Sequence, residues 1–232
     1  MCGRFVAATP PSVLAERFMV DEVVVDDRPP SWNVAPTVDV YAVARSRQGS
    51  RRLGTLRWGL VPSWAENPGG GARHINARAE TVATNGVYRE SFARRRCLVP
   101  ADGFYEWRAP AEPGDPKQPH YIRAVDGRPL ALAGLWDSWR DAEGRWMRTC
   151  AIVTTAANEV VAPLHDRMPV VLPEEAWGGW LDPSKLDVPG ARALLVPAPA
   201  GLLERHPVSA AVNSARNDGP ELVEILPAER RG

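Results

Sequence analysis

The second residue of the chain is a cysteine, in the string "MCGRF". Its side chain is small, so removal of the initiator methionine is expected. That leaves Cys2 with a free α-amine and a thiol on neighbouring carbons. Such a 1,2-aminothiol does what an internal cysteine cannot. Its amine condenses with an aldehyde, and the thiol then adds to the same carbon to close a five-membered thiazolidine. With an α-amine near ~7.7–8.0 and a thiol near ~8.5, both nucleophiles are partly deprotonated at neutral pH. The chemistry is covalent catalysis or covalent capture. A small residue after a start codon is common, so Cys2 gains meaning only from its companions.

Three other strings carry candidate groups. "HINARAET" (74–81) holds Asn76, Arg78 and Glu80. "PADGFYEW" (100–107) places Glu106 between Tyr105 and Trp107. Period-2 alternation puts both aromatics on one face of a strand and Glu106 on the other. Aromatics in the core would leave Glu106 facing solvent. "LHDRMPVVL" (164–172) places His165 and Arg167 where a helix gives way to a loop; a histidine there is also favoured by the helix dipole alone.

The elements that must position these groups are mostly strands. "VDVYAVAR" (38–45) alternates, "GTLRWGLVP" (54–62) runs to a proline, and "CLVPADGFYEW" (97–107) reads as strand, turn, strand. "HYIRA", "LALAGLW" and "TCAIVTT" (120–124, 130–136, 149–155) read as successive strands of a central sheet. Helices are expected over 10–19, capped by Thr9, over 77–83, over 155–165, and over 173–181 behind a proline and two glutamates. A short strand is expected at 169–172. "RPPSWNVAPT" (28–37) reads as a structured loop without a ladder, because its prolines remove donors. The loop 63–75 contains three consecutive glycines, which imply mobility or close backbone approach. Residues 109–118 read as a polar hairpin tip. No βαβ alternation appears. The expectation is one α+β domain over 1–232, on mixed or antiparallel sheet curled into a barrel-like core with peripheral helices. Its core spans about 2–210, followed by a fraying tail over 211–232.

Composition narrows the class. The hydrophobic and charged fractions, 44% and 24%, are those of an ordinary globular protein. No apolar run approaches the roughly 20 residues of a membrane helix, and no secretory h-region is seen. The expectation is a cytoplasmic monomer with no membrane association. Its three cysteines are an odd count, far apart and without a CxxC, so no disulfide framework, metal site or cofactor is expected. Twenty-eight basic residues balance 28 acidic ones, which argues against coating duplex DNA by bulk charge. Only Lys117 and Lys185 are lysines; the other basic residues are arginines, suited to bidentate phosphate contacts.

These residues sit in strings that resemble the SRAP family (SOS response-associated peptidase). The strings are "MCGRF", "WNVAPT", "RWGLVPSW", "INARAET", "RCLVPADGFYEW", "AGLW", "IVTTAAN" and "HDRMPVVL", in family order, with a weaker "VSAAVNSARND" at 208–218. The resemblance implies a sensor of abasic sites in single-stranded DNA, of lyase- or hydrolase-like chemistry, that shields the lesion during the DNA damage response. It makes Cys2 the nucleophile that forms a thiazolidine with the open-chain deoxyribose. It places Asn76 by the sugar, makes Glu106 and His165 an acid–base pair, and assigns Arg4, Arg78 and Arg167 to the DNA backbone. Among the tryptophans, Trp107, Trp136 and Trp180 are expected in the core, and Trp58 and Trp64 are candidates for stacking on bases. The glycine-rich string at 64–73 departs from the family pattern. Zero net charge predicts a shallow salt dependence. Two other readings remain open. One is a thiol peptidase using Cys2, His165 and Glu106, which would not need the α-amine. The other is a noncovalent single-strand binding module in which Cys2 is incidental.

Overall fold

The computed structural model describes residues 2–25, 28–110, 112, 114 and 116–226. Short alternating runs rich in β-branched and aromatic residues fold as strands. β1 is Phe5–Ala7, β2 Glu22–Val23, β3 Ser31–Val34, β4 Asp39–Arg45 and β5 Arg51–Trp58. β6 is Asn76–Arg78, β7 Arg96–Ala101, β8 Gly103–Arg108 and β9 Gln118–Ala124. β10 is Leu130–Arg140, β11 Trp146–Ala156, β12 Arg167–Pro169 and β13 Leu203–Pro207. The helices are short: α1 Pro11–Arg17, α2 Arg89–Arg94, α3 Glu174–Leu181 and α4 Val188–Ala193.

One sheet has the order β13-β9-β8-β1-β3; the other runs β12-β11-β10-β7-β4-β5-β2, with β6 added to β11. β5 also pairs in parallel with β11, through Arg57↔Thr149 and Trp58↔Cys150. That pairing closes β11-β10-β7-β4-β5 into a ring. The expected α+β architecture, a barrel-like β core with peripheral helices, is the one observed.

Alternation along the ring strands serves two cores. Val40, Ala42, Leu56, Trp58, Val99, Leu132 and Ile152 pack with Phe5, Phe104 and Ile122 of the smaller sheet. Tyr41, Val43, Leu53, Leu98, Ala133 and Val153 turn the other way, toward Leu14, Phe18, Phe92, Trp177 and Trp180 beneath the helices. Burying each large side chain contributes roughly 1.5–3 kcal/mol. Arg96 crosses between layers and, among the described residues, forms no ion pair, although the charges of Asp182 and Asp187 act on it. Its guanidinium donates to the carbonyls of Trp180 (2.6 Å), Leu186 (2.7 Å) and Phe92 (3.3 Å), which ties β7 to α3 and α2.

Several local expectations are corrected. The loop 28–37 contains β3, whose Ser31–Val34 lie between the prolines and form the sheet edge against β1. The prolines flank the ladder instead of interrupting it. Thr9 does not cap α1; its hydroxyl bonds to Asp102, and Pro10 is the N-cap. Residues 77–83 and 155–165 are not helices. The first begins as β6 and continues in turns; the second finishes β11 and then turns around Asn158, whose Oδ1 accepts from Val160 and Val161. The chain after 210 does not fray as far as Leu226. Val212 and Leu222 are buried, and Asn33 Nδ2 reaches the carbonyls of Val212, Ser214 and Asn217. The 109–118 tip joins antiparallel β8 and β9; its residues 111, 113 and 115, like 227–232, lie outside the described residues.

Candidate active site

Cys2 enters the structure just ahead of β1. The β1–β8 register sets Phe5 against Phe104, and Tyr105 N–H donates to Arg4 O (3.0 Å), so the chain start runs alongside β8 toward Glu106. Asn76 secures the far side. As the first residue of β6 it pairs with Ile152 of β11, its Nδ2 donates to Cys2 O (2.8 Å), and Tyr88 Oη donates to Asn76 O (2.9 Å). Asn76 Oδ1 is buried and has no hydrogen-bond partner among the described residues, an arrangement that costs roughly 1–3 kcal/mol unless a ligand or the processed chain terminus satisfies it.

Cys2 is 0% exposed. Burial first, and then the Glu106 charge, push its thiol well above the ordinary range. The partly ionised thiol expected from unperturbed values is therefore corrected: in this environment the sulfur is a neutral thiol that needs a base. Glu106 supplies a titratable neighbour. It is 3% exposed, and burial raises its carboxyl from 4.5 to about 7, with Asp166 adding to the rise and Lys117 opposing it. The carboxyl thus has both protonation states available near neutrality. The expectation of a solvent-facing Glu106 is corrected too. Tyr105 packs in a satellite cluster with Val6, Tyr121 and Val208, with Trp107 against it. The opposite face of β8, carrying Phe104, looks into the main core, and Glu106 points there beside Cys2.

His165 follows the turn after β11. Arg167 N–H donates to its Nδ1 at 2.9 Å, and Asp166 Oδ1 lies 2.7 Å from the same nitrogen. One nitrogen cannot satisfy both. A neutral ring accepts from Arg167, and a protonated ring donates to Asp166. Burial lowers the His165 pKa, against the pull of Asp166, so the neutral ring dominates at neutral pH. Glu106, Trp107, Lys117, His165 and Asn213 line a cleft of about 520 Å³. The structure thus brings Cys2, Asn76, Glu106 and His165 into one neighbourhood.

The residues expected on the DNA backbone divide. Arg78, next but one to Asn76 on β6, is exposed, and its side chain makes no hydrogen bond or ion pair among the described residues. Arg167 is held by Glu80 in a bidentate pair (2.6 and 2.9 Å) and also donates to Thr154 O (2.7 Å). Arg4 donates to Asn33 Oδ1 (2.6 Å), Val212 O (3.0 Å) and Asn213 O (3.3 Å). Trp58 is corrected as a stacking candidate. It is 0% exposed, packs edge-on against Phe5 and donates to Ile75 O (3.0 Å), so no face is open to a base. Trp64 is 65% exposed. Its loop is fixed on both sides: Ser63 N–H donates to Asp137 (3.1 Å) and Trp139 Nε1–H to Ala65 O (2.7 Å). Trp180 is core as expected, while Trp136 is only partly buried against the core around Phe5 and Phe104, and Trp107 against the satellite cluster of Tyr105. The glycine run forms a 3-10 turn, Pro68–Arg73, seated backbone to backbone on Gly59. Gly59 has φ +130°, and a Cβ there would meet Gly71 O at 2.7 Å. Close approach explains Gly59 and Gly71, whereas a Cβ at Gly70 would make only an ordinary contact with His74.

Sequence reasoning did not place Lys117 or Asn213 in the cleft. Asn213 lies in the weaker string at 208–218, and Lys117 is one of just two lysines; these were the available signals.

Comparison with known proteins places this chain among relatives. The family model described as SOS response associated peptidase matches residues 1–215. Abasic site processing protein YoqW of Bacillus subtilis is 39% identical, over 97% of this chain and 99% of that one. Abasic site processing protein YedK of Escherichia coli is 33% identical, with coverage of 97% and 99%. A crystal structure of a Bacteroides thetaiotaomicron protein superposes with a TM-score of 0.84 at 24% identity, covering 97% of this chain and all of that one.

Proposed function

Because the chain belongs to the SOS response associated peptidase (SRAP) family, we propose that it processes abasic sites in single-stranded DNA, capturing the ring-opened deoxyribose as a thiazolidine on Cys2. The relatives named as abasic site processing proteins support the substrate. The observation that carries the chemistry is the buried Cys2 thiol beside a Glu106 carboxyl titrating at about 7.

The steps follow from those groups. Opening the sugar breaks C1′–O4′: the Glu106 carboxylate takes the C1′ hydroxyl proton, and the minor protonated form of His165, held by Asp166, gives one to O4′. The Cys2 amine, freed by loss of Met1, adds to the C1′ aldehyde to give a carbinolamine. Protonated Glu106 gives its proton to the departing hydroxyl, water leaves, and an iminium remains. The Glu106 carboxylate then takes the thiol proton as sulfur bonds to C1′, closing the ring. Aldehyde plus aminothiol becomes thiazolidine plus water, and Glu106 ends protonated. Asn76 Nδ2 holds the Cys2 carbonyl, and its Oδ1 is placed to accept from the Cys2 amine. Exposed Trp64 and Arg78 serve as base and phosphate contacts on the approach. Thiol-peptidase chemistry asks for a depressed thiol pKa, and both burial and Glu106 act in the opposite direction here.

The test uses a single-stranded oligonucleotide with one abasic site. Protein with a native terminus should give a heat-stable shifted band on a denaturing gel. Cys2→Ala and a form with a blocked N-terminus should give no thiazolidine. A full yield from the blocked form overturns the mechanism, because an amide nitrogen cannot form the imine.

A further inference from the structure

Two cleft groups have no part in the chemistry above. Lys117 is exposed at the cleft and makes no hydrogen bond or ion pair among the described residues. It lines the same cleft as Glu106 and His165, and its charge lowers the pKa of each. Asn213 is the second. Trp107 Nε1 lies 2.7 Å from Asn213 Oδ1. An indole nitrogen only donates, so the amide orientation is fixed: its oxygen faces Trp107, and its NH2 carries two hydrogens with no partner among the described residues. The backbone beneath it is fastened as well. Arg4 donates to the carbonyls of Val212 and Asn213, and Asn33 donates to Val212 O.

An ammonium and an amide NH2 lining one cleft are both donors. A sugar hydroxyl or a base edge presents donors as well as acceptors, whereas a phosphodiester presents only acceptor oxygens and a negative charge. Two of the arginines near the site are already occupied, and Arg78 is given to the approach of the strand. Arg167 is bound to Glu80 and Thr154 O, and three Arg4 hydrogens are bound to Asn33 and the 212–213 carbonyls. A strand that brings an abasic sugar to Glu106 and His165 brings the adjoining phosphate with it, and that phosphate needs a cation.

We propose that Lys117 and Asn213 form a phosphodiester-binding wall of the cleft, in which Lys117 Nζ and Asn213 Nδ2 hold the non-bridging oxygens of the phosphate next to the abasic sugar. This rests on the reading of the substrate as an abasic single strand. It also accounts for the 208–218 string, since Asn33, Arg4 and Trp107 hold that segment so that one amide faces the cleft.

The test separates the wall from the chemistry by using a strand that cannot crosslink. Binding of a single-stranded oligonucleotide containing one tetrahydrofuran residue, which has no aldehyde to open, is followed by fluorescence anisotropy over a range of salt concentrations. Lys117→Gln should weaken binding roughly tenfold, as expected for a hydrogen bond to a charged group, and should flatten the salt slope by about 0.7, one phosphate contact on a single strand. Asn213→Asp keeps the oxygen that Trp107 needs, so its fold is retained; its carboxylate faces the phosphate, and binding should weaken by at least the same factor. Replacing the flanking phosphodiester by a neutral methylphosphonate, on each side in turn, should on one side cost the wild type that factor and cost Lys117→Gln nothing further. Tight wild-type binding that survives both substitutions, slope included, overturns the wall alone. A wild type that does not bind the strand at all overturns the wall together with the substrate reading beneath it.

Discussion

Replacing Glu106 by Gln should stabilise the fold at alkaline pH while it removes the proposed chemistry. The folded protein raises the Glu106 carboxyl from 4.5 to about 7, with burial as the leading cause. A carboxyl raised on folding favours the folded state only while it is protonated. Its contribution is complete below pH 4.5 and is lost as pH rises through about 7. At ~1.36 kcal/mol per pKa unit, ionising Glu106 in the fold costs about 3 kcal/mol. Gln has nearly the same shape and cannot ionise. The difference in stability between Glu106→Gln and wild type should therefore grow by about 3 kcal/mol from pH 4.5 to pH 8.5. For a chain of this length that corresponds to about 6–12 °C in Tm. Urea unfolding of both proteins at the two pH values measures it, and the other carboxylates cancel in the difference. A stability difference that is flat with pH, or that moves against the variant as pH rises, would refute the argument that burial controls Glu106. The same variant should give no crosslink, so stability and reactivity would move in opposite directions at one residue.

Two further substitutions probe the supporting frame. Gly59→Ala should lower stability by about 2 kcal/mol or more, because an L side chain is strained at φ +130° and its Cβ would collide with Gly71 O; an unchanged Tm would show that the Pro68–Arg73 turn can move aside. Trp64→Ala should leave Tm unchanged and weaken single-strand affinity by about 1–3 kcal/mol, whereas Trp58→Ala should destabilise by about 3–5 kcal/mol; equal Tm losses from the two would contradict their opposite burial.

The strands were legible because each is written locally. "VDVYAVAR" alternates, and β4 occupies Asp39–Arg45; "LALAGLW" and "TCAIVTT" fall inside β10 and β11. Ring closure was not legible, since the β5–β11 pairing joins residues far apart in sequence and leaves no periodic trace. The helices expected at 77–83 and 155–165 failed because tertiary pairing with β11 and turn bonding at Asn158 outweigh helix propensity. The Glu106 face was misread for a simple reason. Alternation separates two faces of a strand but does not say that one is solvent, and β8 is covered on both. Trp58 carried a usable sign, since Leu56 and Trp58 share a face of β5 and one core accounts for both. The orientation of the Asn213 amide lay beyond sequence, because it depends on where the fold brings the Trp107 indole N–H.

β11 also acts as a measuring rod. Cys150, Ile152, Thr154 and Ala156 lie along one face of it, and they stand opposite Trp58, Asn76, Arg78 and Arg167 in turn. Residues two apart on a strand are about 6.6–6.8 Å apart, so three segments remote in sequence, β5, β6 and β12, are spaced by one strand. Length can therefore change in connections away from the cleft, such as the turn 46–50 between β4 and β5, without moving the site. A single residue inserted within β11 would turn the following positions to the opposite face and shift Asn76, Arg78 and Arg167 relative to Cys2. Within such a lineage, gaps should collect in the loops and stop at the ends of this strand.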